Sequence, residues 1–193
     1  MKKFVFAMAV LALAASVDAA PITFTTSLSG LNEFPINAST GTGTATVIFD
    51  DDANTMRVLV TFADLIGTTT MSHVHCCTAV AGAGTIGVAT ELPSFTGFPL
   101  GVTAGSYDHT FDTSLAATWN AAFMGANGGT PEGAADAFLA GMFDGKAYLN
   151  VHSSFKPGGE IRGFLAPAPV PEPATLALIG FGIAGTLARR RRR

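Results

Sequence analysis

The sequence predicts a mainly β fold, an antiparallel β-sandwich or barrel with one or two short helices in a long connection, flanked by an N-terminal signal peptide and a C-terminal hydrophobic helix. Three observations lead there. Apolar and polar residues alternate at period two through much of residues 20–166, as strands with one buried face require. Clusters of Asp, Asn, Gly and Pro punctuate the alternating runs with turn chemistry. The 193 residues include 22 glycines and only 13% are charged, the balance of a turn-rich β body rather than a charged helical one. One domain, 20–166, is what this length accommodates once 1–19 and 167–193 are set aside.

At the N-terminus, Lys2 and Lys3 precede an apolar run from Phe4 to Ala15. Val17-Asp18-Ala19 then places small residues at the −3 and −1 positions of a cleavage site, so the mature chain is expected to begin at Ala20. The apolar run is shorter than the roughly 20 residues a retained spanning helix needs.

Ile22, Phe24, Thr26 and Leu28 share one face of a first strand. Thr42 to Phe49 forms a second, with Ala45, Val47 and Phe49 on one side. Asp50-Asp51-Asp52-Ala53-Asn54 reads as a solvated turn, and Met56, Val58, Val60 and Phe62 complete an antiparallel hairpin. Met71 to Cys77 is a shorter strand. The stretch from Ala79 to Phe111 is broken by Gly and Pro and receives no element. Thr113 or Ser114 is expected to cap a helix running to Met124. Thr130-Pro131 opens a second, because Thr accepts from orphan amides and Pro suits the first helical turn. Its buried stripe is Ala135, Phe138, Leu139 and Met142, and Asp144-Gly145 ends it. Residues 147–152 and 160–165 form a last hairpin around Lys156-Pro157-Gly158-Gly159.

His73-Val74-His75-Cys76-Cys77 is the densest group of reactive side chains. Residues i and i+2 of a strand project to the same side about 6.6 Å apart, so His73 and His75 can converge on one ion. His152, at the end of a distant strand behind Tyr148 and Asn150, is the third candidate ligand, and His109 a fourth. Three imidazoles suit Zn or Cu. The alternative is that these histidines simply bond carbonyls or the hydroxyls of Thr69, Thr70, Ser72 and Ser153. Cys76 and Cys77, the only cysteines, are adjacent and cannot staple distant segments. In an oxidising compartment they can form a vicinal disulfide, pair with another molecule or bind metal as thiolates, and the vicinal disulfide is the favoured outcome.

Charge excludes one class of partner. Seven of the eleven basic residues sit at the chain ends, leaving Arg57, Lys146, Lys156 and Arg162 against twelve acids between Glu33 and Glu160. A body of formal charge −8 offers no basic patch to nucleic acid. Catalytic templates are also missing: the sequence has no Gly-x-Ser-x-Gly elbow, no P-loop and no Cys-His pair with an orienting partner.

The C-terminal end runs from a proline-rich stretch, Ala166 to Pro173, expected to stay extended without joining a strand, into an apolar segment 174–188 and the cluster Arg189 to Arg193. As a helix the apolar segment covers about 22 Å, short of a hydrocarbon core of about 30 Å unless arginines snorkel and the bilayer thins. The arginines would stay cytoplasmic and the body outside. Val170-Pro171-Glu172-Pro173-Ala174-Thr175, followed by a Leu/Gly/Ala-rich segment and an Arg cluster, resembles the PEP-CTERM sorting signal. That resemblance implies recognition by an exosortase-type peptidase near Pro171-Glu172-Pro173, removal of the tail after transient membrane anchoring, and delivery to the cell surface or an exopolysaccharide matrix.

The body resembles the CHRD domain. The likeness is carried by Leu28-Ser29-Gly30-Leu31-Asn32-Glu33-Phe34-Pro35, Gly41-Thr42-Gly43-Thr44-Ala45, His73-Val74-His75, Tyr148-Leu149-Asn150-Val151-His152-Ser153 and Pro157-Gly158-Gly159-Glu160-Ile161-Arg162-Gly163. The chain departs from the family pattern at Cys76-Cys77 and in its long section before Tyr148. The resemblance implies a β-rich extracellular module engaged in interaction, with exopolysaccharide or other surface proteins as partners. The His-Val-His strand is also similar to the copper-binding strand of Cu/Zn superoxide dismutases, although their other ligand-rich loops have no counterpart here. Two functions are therefore expected: a surface module for interaction or assembly, or a Cu- or Zn-binding redox-type protein using His73, His75 and His152.

Overall fold

The alternation across residues 22–63 becomes three long antiparallel strands, β1 (Ile22–Ser29), β2 (Thr42–Asp50) and β3 (Thr55–Ala63). Phe24 pairs with Val47, which pairs with Val58, and all three side chains are fully buried. Burying each such side chain stabilises the fold by roughly 1.5–3 kcal/mol. The acidic turn between β2 and β3 closes locally, with Asp50 Oδ1 accepting from Ala53 N at 2.9 Å.

These coordinates come from a computed structural model that describes residues 20–169. The expected signal peptide at 1–19, Pro171, Glu172 and Pro173 of the sorting motif, and the apolar segment 174–188 lie outside the described residues. Among the described residues no helix is long and apolar enough to cross a membrane.

Five further strands complete one sheet: β4 (Thr69–His75), β5 (Gly105–Asp112), β6 (Tyr148–Ser153), β7 (Ile161–Phe164) and β8 (Ala166–Pro167). The order is β4-β6-β7-β1-β2-β3-β5, all antiparallel, curled into a half-barrel, with β8 beside β1. The outer edge of β4 is covered by the chain between Gly87 and Val102. Ala89 N donates to Val74 O (2.9 Å), Phe95 N to Ser72 O (2.9 Å) and Gly101 N to Thr69 O (2.8 Å), so this edge presents no free ladder to another chain.

Helices α1 (Ala121–Ala126) and α2 (Pro131–Phe143) follow β5. Thr130 caps α2 as its sequence predicts, accepting from Gly133 N at 3.1 Å. Phe138 and Met142 are fully buried, and Phe138 packs on Phe49 and Trp119 of the core.

Several expectations need correction. The segment after Thr113 does not form one helix to Met124; Asn120 caps the short α1 instead, accepting from Ala122 N at 2.8 Å. Local bonds hold residues 112–119 out of the helix. Ser114 N donates to Asp112 Oδ1 (2.9 Å), Thr118 Oγ1 to Asp112 O (2.6 Å) and Trp119 Nε1 to Thr113 O (2.9 Å). Strand β4 stops at His75, before the cysteines. Ala166 and Pro167, the start of the proline-rich stretch, do join the sheet, as β8, because Pro167 faces Phe24 at a strand end and Ala168 N supplies the next bond to Thr23 O at 2.8 Å. Strand β5, unassigned from sequence, pairs along β3 from Thr55↔Asp112 to Phe62↔Gly105.

Candidate metal centre

Strand register brings the candidate ligands to one face. His73 lies opposite Asn150, Met71 opposite His152 and His75 opposite Tyr148, while Ser72, Val74, Leu149 and Val151 point the other way into the core. On β7 the same outer face carries Arg162, opposite Asn150, and Phe164, opposite Tyr148. This polar face is nevertheless buried, with His73 and His152 only 2% and 6% exposed. Residues 30–39, 82–88 and 156–159 supply the groups that cover it.

Arg162 ties two of these covers together. Its Nε donates to Asn32 O at 2.5 Å and its Nη1 to Gly84 O at 3.0 Å, while the guanidinium lies 4.6 Å over the Tyr148 ring and 5.5 Å from that of Phe164. Glu33 Oε2 is 3.7 Å from Arg162 Nε. The Glu33 carboxyl is pushed up to about 7 by burial, which outweighs the opposing pull of Arg162 and of the Phe34 amide.

Glu160, which is completely buried, fastens the first cover to the neighbouring chain. Its Oε1 accepts from Ser39 Oγ and Ile66 N, both at 2.6 Å, and its Oε2 accepts from Gly67 N at 3.2 Å and from Ser153 Oγ. Burial alone would raise this carboxyl. The four hydrogen bonds outweigh it and hold the group below its ordinary value.

Within this enclosure one ring nitrogen from each of His73, His75 and His152 falls within 4.8 Å of the others. His75 Nδ1 bonds Ile86 O at 2.6 Å and His152 Nδ1 bonds Pro157 O at 2.7 Å. A carbonyl can only accept, so both Nδ1 atoms carry the proton and both Nε2 atoms present lone pairs. That tautomer, fixed by a carbonyl behind the ring, is the one a metal-ligating histidine adopts. His152 Nε2 lies 3.0 Å from His73 Nε2. Bonds of about 2.0–2.1 Å to a tetrahedral ion place neighbouring ligand atoms about 3.3 Å apart, close to this spacing.

The rings are held neutral. Burial pushes His73 down to about 3, with help from His152 and His75 and against a weak pull from the Pro93 carbonyl. It pushes His75 down to about 4, against the Ile86 carbonyl, and lowers His152 against the Pro157 carbonyl. Side-chain polar atoms that are buried without a partner among the described residues are Glu33 Oε1, His73 Nδ1 and His75 Nε2, all in this one region.

Two other candidates fall elsewhere. His109 sits on β5, with its ring 4.6 Å from Phe111 and 6.1 Å from Tyr107, and does not join the three histidines. Cys76 and Cys77 are joined to each other by a disulfide and pack against Gly141 of α2, where a Cβ would meet both sulfurs. Both sulfurs lie against α2, and neither belongs to the group of ligand atoms formed by the three histidines. Arg162, Glu33 and the carbonyls of Ile86 and Pro157 escaped the sequence reading, although Glu33 and Arg162 lie within the stretches that carry the family likeness.

Comparison with protein families places this site within a known module. The CHRD domain model matches residues 24–165, which contain every residue of the site. The chain belongs to the CHRD-domain family. A second model, the PEP-CTERM protein-sorting motif, matches residues 169–193. This motif indicates export, exosortase-type sorting and a surface or membrane-associated fate. Neither curated proteins nor solved structures give a match. The CHRD match thus covers the sheet except for the first two residues of β1 and the short β8, and the three histidines occupy strands β4 and β6 at one end of it.

Proposed function

We propose that this exported surface protein uses its CHRD domain to hold one Zn or Cu ion between β4 and β6, with His73, His75 and His152 as ligands. The convergence of three neutral imidazoles within 4.8 Å, His73 and His152 buried and His75 half-buried, carries the reading. Two of the rings are oriented by carbonyls behind them, so little side-chain freedom is lost on binding. When bound, the ion would link two neighbouring strands and supply the positive charge that this cluster lacks. The test is to load chelator-treated protein with Zn and with Cu, then dialyse and measure bound metal. One ion per chain is expected, and His73→Ala or His152→Ala should remove it. Failure of wild-type protein to retain either metal in stoichiometric amount overturns the reading.

A second reading, a surface module for interaction or assembly, is favoured by a separate observation. Leu31, Phe34 and Ile36 are 73%, 64% and 69% exposed on the connection between β1 and β2. Three large apolar side chains so close together are an unusual surface for a free monomer. Substituting all three with Ser should weaken surface retention of the exported protein while leaving metal loading unchanged. Unchanged retention would remove the interaction reading at this loop.

A further inference from the structure

Asn150 stands directly opposite His73 in the β4–β6 ladder, and its side chain reaches the His152 ring. Its Oδ1 is 3.1 Å from His152 Nε2. Because His152 Nδ1 must donate to the Pro157 carbonyl, His152 Nε2 bears no proton. A carboxamide oxygen also bears none, so these two atoms confront each other as acceptors. Such a contact is repulsive until a cation stands between them. His152 Nε2 therefore has two close neighbours, His73 Nε2 and Asn150 Oδ1, at spacings of 3.0 and 3.1 Å that match the edges of one coordination polyhedron.

The other end of the amide lies beside Gly159. A Cβ on Gly159 would lie 2.5 Å from Glu33 Oε1 and 2.9 Å from Asn150 Nδ2, so the amide nitrogen and the unpartnered carboxyl oxygen share the space beside that glycine. Gly159 has φ 130°, a conformation that disfavours any side chain there, which keeps this space open. The acceptor end of Asn150 thus lies at the His152 ring and its amide nitrogen beside Gly159.

We propose that Asn150 Oδ1 is the fourth ligand of the metal, completing an N3O sphere of His73, His75, His152 and Asn150. This rests on the three-histidine reading above. It makes the site a closed, four-coordinate holding site without a position left for substrate. Asn150 is legible only from register, since an asparagine in a strand belongs to no metal-binding spacing.

Three variants test it, each loaded with Zn or with Co(II) as a spectroscopic stand-in. Asn150→Ala should weaken Zn binding by roughly 10- to 100-fold in a chelator competition, the range that loss of a supporting metal contact produces. Asn150→Asp, which keeps the oxygen in place, should restore affinity to the wild-type level or better. Asn150→Cys, with the Cys76–Cys77 disulfide verified by mass, should give Co(II) a thiolate charge-transfer band absent from wild type, because only a side chain touching the metal can produce it. Wild-type affinity in Asn150→Ala together with no thiolate band in Asn150→Cys overturns the fourth ligand and leaves the three-histidine reading standing. Wild-type protein that binds no metal overturns both.

Discussion

The Nε2 atoms of His73 on β4 and His152 on β6 lie 3.0 Å apart inside a face too buried to tolerate their charge. The consequence for the metal-free protein is a loss of stability in mild acid. Unfolded histidines protonate near 6.5, whereas folded His73 and His75 resist down to about 3 and about 4, and His152 is lowered too. Between those limits the unfolded chain holds more protons, so stability falls as pH falls. Each such proton is worth roughly 1.4 kcal/mol per pH unit. Urea midpoints of chelator-treated protein should drop clearly from pH 7 to pH 5. A midpoint that holds or rises over that range contradicts this account of the rings.

Glu33 acts in the opposite direction, with one proton against three. Its folded value of about 7 exceeds its unfolded value of 4.5, so the stability it lends is present at low pH and lost as pH rises through 7. Glu33→Gln keeps a polar group beside Arg162, whose Asn32 and Gly84 carbonyl partners remain. Relative to wild type, the variant should gain about 2–3 kcal/mol between pH 5 and pH 8, by the conversion of about 1.4 kcal/mol per pKa unit. Denaturation at those two pH values checks it; an identical difference at both would mean the carboxyl does not titrate in that window.

Glu160 is a structural acid, and its substitution should be costly. Glu160→Gln leaves buried donors from Ser39, Ser153, Ile66 and Gly67 facing an amide that can satisfy only part of them. Losing these charge-assisted bonds in a fully buried position should cost roughly 2–4 kcal/mol. The lowered carboxyl also predicts the sign with pH. The stability it lends is present above the ordinary carboxylate range and is lost as pH falls through the folded value, so wild type and variant should converge in acid. Thermal unfolding at pH 7 and pH 3 measures both effects.

What the sequence disclosed and what it hid follow from the range of the forces involved. Strands β1 to β3 were legible because Phe24, Val47, Phe49, Val58 and Val60 all obey one local period. Helix α2 was legible from Thr130-Pro131 because a cap acts over three residues. Strand β5 has the same alternation, with Tyr107 and Phe111 buried and Asp108 paired outward to Arg57, but the glycines and prolines before it masked its start. The three histidines could be proposed from a two-residue spacing on one strand and one distant partner. Their carbonyl supports at Ile86 and Pro157, and the place of Asn150 opposite His73, depend on the β4–β6 register and on how the covering loops fold back. No local pattern encodes either.

The disulfide gives a last expectation, at Gly141 rather than at the cysteines. Gly141 is buried in the last turn of α2, and a Cβ built there would collide with Cys76 Sγ and Cys77 Sγ together. In an open helix, replacing glycine by alanine is favourable by about 0.8–1 kcal/mol. Here the added methyl meets two sulfurs fixed to each other, and Cys76 is itself buried against the core, so neither can swing aside as a free side chain would. Overpacking of a tight core costs typically 1–3 kcal/mol, which exceeds the helical gain. Gly141→Ala should therefore destabilise the oxidised protein by roughly 1–2 kcal/mol. Cys76→Ala/Cys77→Ala removes the obstruction, so adding Gly141→Ala to that pair should be neutral or stabilising. A double-mutant cycle read by urea denaturation isolates the coupling, and an equal effect of Gly141→Ala in both backgrounds would show that α2 is not seated on the disulfide.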